Sequence, residues 1–196
     1  MKKLLITGFD PFDGASVNPS WEAVRTLPEQ IGDWQLTRLQ IPTVHGLAGQ
    51  RVLDTAKILH PDAILCVGQA GGREAVTPEV YGVNLRHARI ADNAGNKPLA
   101  KPIVRGAPAS YASTLPVCDM VRAVREIGLP CKLSYSAGRF VCNDLLYTLL
   151  DHYQGTDTRV GFVHIPYLPE QAQNGEPCMP LDRDVRALHA MIAVLQ

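Results

Sequence analysis

Residues Arg159–Ile165 read RVGFVHI. The run is short, almost continuously apolar and bounded by turn-forming residues. A strand with one wet face alternates apolar and polar positions, whereas a strand covered on both faces need not, so this pattern predicts a buried strand of a parallel sheet. KLLITG (Lys3–Gly8), DAILCVG (Asp62–Gly68) and CKLSYS (Cys131–Ser136) read the same way. Helical patterns lie between and beyond them. Val117, Met120, Val121, Val124 and Ile127 share one helical face, with Pro116 near the start and Gly128 and Pro130 just past the end, as helix start and stop chemistry prefers. Leu181, Val185, Leu188, Ile192 and Leu195 form a second stripe, and Leu145, Leu146, Leu149 and Leu150 a third that begins close to Cys142. Strands alternating with helices imply βαβ units, hence an α/β/α sandwich with a largely parallel, twisted central sheet. With 196 residues, 46% of them hydrophobic, one domain spanning 1–196 is expected.

Nineteen basic residues balance nineteen acidic ones, and neither sign gathers into long runs. That excludes the charge signature of nucleic-acid and membrane-surface proteins and favours a small-molecule partner. MKKLLIT is interrupted by Gly8 and Asp10 and lacks a small-residue cleavage site, so it reads as a first strand rather than a secretory leader. No stretch approaches the roughly 20 apolar residues that span a bilayer. The five cysteines, Cys66, Cys118, Cys131, Cys142 and Cys178, are odd in number and lack paired zinc spacing, which fits reduced thiols in a cytosol and no metal. Ala91–Ser110, rich in proline and glycine, reads as a long loop, and loops of that length tend to be functional.

In a parallel α/β sheet, ligands sit beyond the carboxyl ends of the strands. Two chemistry-bearing residues fall there. Cys142 follows the Ala137–Gly138 turn at the start of a helix, where backbone N–H groups and the helix dipole favour a thiolate, although a free cysteine equally suits a core. His164 stands next to last in RVGFVHI, close before Pro166, and is the histidine placed to serve as its base, or an ordinary strand-end residue. An orienting carboxylate would complete the set, with Glu79 one of several possibilities. GQAGGR (Gly68–Arg73) has neither a P-loop ending nor dinucleotide spacing, and reads as a tight turn that lets backbone approach a ligand.

GFDPFDG (Gly8–Gly14), NPSWEAV (Asn18–Val24), CVGQAGGR (Cys66–Arg73), ARIADNAGN (Ala88–Asn96), STLPV (Ser113–Val117), SAGRFVCN (Ser136–Asn143) and GFVHIPYLPEQ (Gly161–Gln171), in that order, resemble the pyroglutamyl-peptidase I family of cysteine peptidases. The resemblance implies a phosphorylase/hydrolase-like fold and a cytosolic, cofactor-free homotetramer that removes an N-terminal pyroglutamyl residue from peptides. Its triad falls on Cys142, His164 and Glu79. Motifs that line the family's apolar pocket fall on Phe9, Phe12, Ile90, Phe140 and Val141, and Arg89 matches an arginine expected to add positive potential at the oxyanion. The chain departs from the family at Val80–Gly82, where Arg-Val-Ala is usual, and at Tyr135–Arg139, where Asn-Thr-Ala-Gly-Thr is common. Those changes keep two alternatives in view: a thiol amidase of altered acyl specificity, and a binding protein that retains the fold without turnover.

Overall fold

The computed structural model describes residues 1–195. Its centre is a six-stranded sheet in the order β2-β3-β1-β4-β8-β5. β1 (Lys2–Phe9), β3 (Trp34–Ile41), β4 (Ala63–Gln69) and β8 (Arg159–Ile165) run parallel, while the two-residue strands β2 (Gln30–Ile31) and β5 (Thr77–Pro78) cap the edges antiparallel. Three of the four strands read from the sequence are these central ones. Their continuous apolar character has the expected cause, because both faces are covered. Leu4, Ile6, Leu65, Val67, Val163 and Ile165 pack into one core with α1 (Pro19–Thr26), α3 (Val117–Glu126) and α5 (Leu181–Ala193). Leu5, Ile64, Cys66, Val160 and Phe162 pack into the other with α2 (Leu47–Leu59) and α4 (Val141–His152). The α/β/α sandwich is therefore as anticipated, with the odd- and even-numbered residues of β4 and β8 facing opposite helical layers.

CKLSYS is not a strand. It meets β5 and its flanks through two isolated bridges, Val76 to Cys131 and Glu79 to Ser134. The bonds Val76 N–H to Pro130 O, Lys132 N–H to Val76 O, Ser134 N–H to Pro78 O and Val80 N–H to Ser134 O form a parallel ladder with its middle rung missing. That rung belongs to Pro78, which has no N–H to donate. β3, in contrast, is a genuine strand whose sequence, WQLTRLQI, carries too many polar residues to read as a buried run. Residues 84–109 hold no helix or strand, as expected of the loop, and the small hairpin of β6 (Tyr81–Val83) and β7 (Ser110–Ala112) brackets them. No helix among the described residues is long and apolar enough to cross a membrane.

Candidate active site

His164 lies one residue from the carboxyl end of β8, flanked in the sheet by Gly68 of β4 and Thr77 of β5. Two residues beyond Thr77 the chain turns Glu79 inward, its N–H bonded to Phe162 O (2.9 Å), and buries it completely. Glu79 Oε1 stands 2.7 Å from His164 Nδ1 and accepts from Arg73 Nη1 at 2.8 Å. Arg73 also reaches Thr77 Oγ1 and, through Nη2, the carbonyl of Ser136 (3.2 Å). Burial works against charge on Glu79, but the bonds from His164 and Arg73 outweigh it and hold the carboxyl below its ordinary range. An ionised carboxylate only accepts, so the proton on the imidazole is assigned to Nδ1, leaving Nε2 as a lone pair. Burial pushes the His164 imidazole down; Glu79 opposes this without overcoming it, and Arg73 adds to the fall.

Cys142 reaches the same place from the other layer. Phe140, in extended conformation, is the N-cap of α4, and no side chain caps the helix. The N–H groups of its first turn therefore remain for a ligand to use. Asn143 anchors that turn to β6, donating to Val83 O (2.9 Å) and Leu85 O (3.1 Å) and accepting from Val83 N–H (2.9 Å). Asp144 anchors it on a second side, accepting from Gly46 N–H (2.6 Å) and Arg86 Nε (2.5 Å). Between them the thiol settles on β4: a Cβ built on Gly68 would lie 3.1 Å from Cys142 Sγ. Gly68 and His164 are in register on neighbouring parallel strands, so a Cβ at Gly68 points to the same face as the imidazole. The fold thus gathers Cys142, His164 and Glu79 around one sheet end.

The thiol is not depressed by its helix start. Burial pushes Cys142 up to about 12, the Glu79 charge adds to the rise, and Arg73 opposes it. Desolvation outweighs the helix terminus here. The resting pair is accordingly a thiol beside a neutral imidazole whose free nitrogen is a base.

Of the pocket candidates, Phe12 and Phe140 pack with ring centroids 5.3 Å apart, tilted at 47°. Phe9 is buried, 6.3 Å from Phe162, which in turn lies 4.7 Å from the His164 ring. Val141 is fully buried in the core beneath α4. Ile90 is 46% exposed and joins neither core cluster, and Arg89 is exposed without a hydrogen bond or ion pair among the described residues. The cation that touches the site is Arg73, which the sequence showed only as the last residue of GQAGGR. That turn also accommodates the protein's own packing. A Cβ on Gly71 would fall 2.3 Å from the Tyr167 ring, so the bare backbone makes room for a side chain of the protein itself. Among the described residues no three His, Cys, Asp or Glu side chains converge as a metal site requires.

The sequence profile of the family described as pyroglutamyl peptidase matches residues 2–196. A pyrrolidone-carboxylate peptidase of Bacillus mycoides is 44% identical over 199 residues, covering 99% of this chain and 93% of the relative. A solved structure of pyroglutamyl peptidase I from Bacillus amyloliquefaciens superposes with a TM-score of 0.96 at 44% identity, covering 100% of this chain and 97% of that one. The pyrrolidone carboxyl peptidase of Thermococcus litoralis does so with a TM-score of 0.94 at 33% identity, covering 100% and 93%.

Proposed function

The chain belongs to the pyroglutamyl peptidase family, cysteine-type hydrolases that remove N-terminal pyroglutamate from peptides, and on that premise we propose that Cys142, His164 and Glu79 are its catalytic residues. The observation that carries the assignment is the Glu79–His164 contact of 2.7 Å at the sheet end where Cys142 Sγ packs on Gly68. Cys142 attacks the carbonyl joining pyroglutamate to the next residue while His164 Nε2 takes the thiol proton. The imidazolium so formed is stabilised by the Glu79 carboxylate and returns the proton to the leaving amine. Water, deprotonated by the same nitrogen, then releases the acyl group. The tetrahedral oxyanion has the uncapped first-turn N–H groups of α4 as donors, the Cys142 N–H among them. Arg73, rather than Arg89, supplies the positive charge nearby. Phe12 and Phe140 offer the apolar wall that an uncharged lactam ring needs. We further propose that the protein is cytosolic and assembles as a homotetramer, the assembly being tested by light scattering.

The assignment is tested by turnover of pyroglutamyl and prolyl amides in reducing buffer, with and without EDTA. Cleavage of the pyroglutamyl amide alone, unaffected by EDTA and lost in Cys142→Ala, is expected. Equal cleavage of the prolyl amide would make the protein a thiol amidase of different specificity, and retained activity in the variant would remove Cys142 from the centre.

A further inference from the structure

Beyond Phe12, the carboxyl end of the sheet opens into a cavity of about 650 Å³, within the size range of clefts that hold small ligands. The loop after β1 forms one side of it, with Phe12 and Asp13, and the loop after β8 the other, with Tyr167, Glu170 and Glu176. Gln171 ties both loops to the strand between them. Its Nε2 donates to Val17 O (3.4 Å) and to Gln69 Oε1 (3.2 Å), while its Oε1 accepts from Leu168 N–H (3.0 Å). Gln69 is the last residue of β4 and follows Gly68, on which Cys142 Sγ rests. Tyr167, three residues past His164, lays its ring over Gly71. The cavity therefore adjoins the strand beneath the sulfur and is walled by the chain that carries the imidazole. Its charge is of one sign. Asp13, Glu170 and Glu176 are exposed; the first two have no hydrogen bond or ion pair among the described residues, and Glu176 accepts one bond, from Gln173 N–H at 3.2 Å. No lysine, arginine or histidine lines the cavity among the described residues.

We infer that this cavity receives the residues that follow pyroglutamate, and that Asp13, Glu170 and Glu176 make peptides with lysine or arginine in the first two of those positions the preferred substrates. The inference rests on the reading of Cys142, His164 and Glu79 as the centre that cleaves pyroglutamyl amides. A leaving amine must come within reach of His164 Nε2 to take its proton, so the chain on that side of the scissile bond departs toward the loop after β8. Phe12 borders both the acyl wall, through Phe140, and the cavity, so a peptide crosses from one to the other past a single side chain. Carboxylates around a solvent-open cleft act on cations through their summed field rather than through fixed contacts. The preference is accordingly for charge, and salt weakens it.

The experiment measures kcat/KM for pyroglutamyl-Lys-Lys-amide, pyroglutamyl-Gln-Gln-amide and pyroglutamyl-Glu-Glu-amide at about 20 mM and about 500 mM salt, with the coumarylamide of L-pyroglutamate as the gauge of the centre. Wild type at low salt is expected to favour the Lys-Lys peptide over the Glu-Glu peptide by about 10-fold or more, chiefly through KM, with Gln-Gln between them. High salt should erase most of that ratio. In the triple variant Asp13→Asn, Glu170→Gln, Glu176→Gln the ratio should collapse toward unity at low salt; asparagine accepts the left-handed backbone of position 13 (φ 53°). Equal turnover of the three peptides, or turnover of none, by a wild type that cleaves the coumarylamide overturns the inference and leaves the centre intact. So does a ratio that survives high salt or the folded triple variant. A wild type that cleaves neither peptides nor coumarylamide overturns the reading of the centre, and the inference with it. Should the triple variant fail to fold, the three single variants replace it. Each is expected to remove part of the ratio, and no reduction in any of them overturns the inference.

Discussion

A half-buried thiol held above its ordinary pKa beside a buried imidazole held below its own favours the neutral pair at rest, so the proton moves as the sulfur attacks. Exposed Cys118 and Cys178 should then react first with iodoacetamide near neutral pH, with Cys142 gaining as pH rises and inactivation following Cys142 alone. Mass mapping against time at pH 7 and pH 9 checks this, and first labelling of Cys142 at pH 7 would contradict it. Because His164 is held below its ordinary value, the acid limb of kcat/KM should lie below the free-imidazole range. Arg73 opposes the imidazolium, so in Arg73→Gln that limb moves upward in pH, and kcat should fall by on the order of 10-fold or more because Glu79 loses a bond that orients it. Glu79→Gln keeps the shape but lets an amide select the wrong histidine tautomer, and kcat should fall on the order of 10 to 10⁴-fold. The placement of Cys142 at a helix start and of His164 near a strand end was legible in the sequence from position, although the segment before Cys142 is not the strand expected. Glu79 emerged only through family resemblance. Arg73 was hidden, because a turn residue meets a carboxylate six positions on only after Pro78 and β8 have set the path of the chain.

At the scale of elements, the apolar runs disclosed β1, β4 and β8 because burial on both faces writes itself into sequence as uninterrupted hydrophobicity. The failures have the same root. CKLSYS has strand-like residues, but its pairing depends on a proline in another segment, and β3 is a parallel strand whose polar positions hide it. The union of α4 with β4 was also illegible, since Gly68 looks like turn punctuation. In the fold it is where Cys142 Sγ rests on the sheet. Gly68→Ala would set a Cβ 2.7 Å from Phe162 Cζ and 3.1 Å from Cys142 Sγ. Either the ring or the sulfur must give way, and both lie in the tightly packed layer under α4. Overpacking of this kind costs about 1–3 kcal/mol. The expected result is a variant that folds with reduced stability in urea and loses kcat by about 10-fold or more, because sulfur displaced by even an ångström leaves its attack line. A folded Gly68→Ala enzyme with wild-type kcat would show that the sulfur does not bear on this strand.

For the molecule as a whole, the helical layer opposite the site holds a buried carboxyl that, unlike Asp144 of α4 with its bond from Arg86, has no partner among the described residues. Asp184, in the first turn of α5, is fully buried, and neither carboxylate oxygen finds a partner among the described residues. Burial raises it from 3.8 to about 8, with the charge of Asp182 adding to the rise and Arg183 opposing it. The folded chain therefore keeps this proton up to about pH 8, whereas the unfolded chain releases it near pH 4. Between those values the native state binds more protons than the unfolded state, so this group makes stability fall as pH rises, by about 1.4 kcal/mol per unit. Below the window its contribution to stability is fully present; above it the loss is complete and on the order of a few kcal/mol. Asp184→Asn replaces the protonated carboxyl by a neutral group of the same shape and removes the dependence. Urea unfolding of both proteins at one protein concentration should give similar stability near pH 5 and a variant more stable by a few kcal/mol near pH 8.5. Cys142, His164 and Glu79, the proposed centre, lie across the sheet, so activity at pH 7 should change little. Parallel stability profiles for the two proteins from pH 5 to pH 8.5 would mean that Asp184 titrates alike in the folded and unfolded chains, and that its carboxylate has found a partner or water that burial alone does not predict.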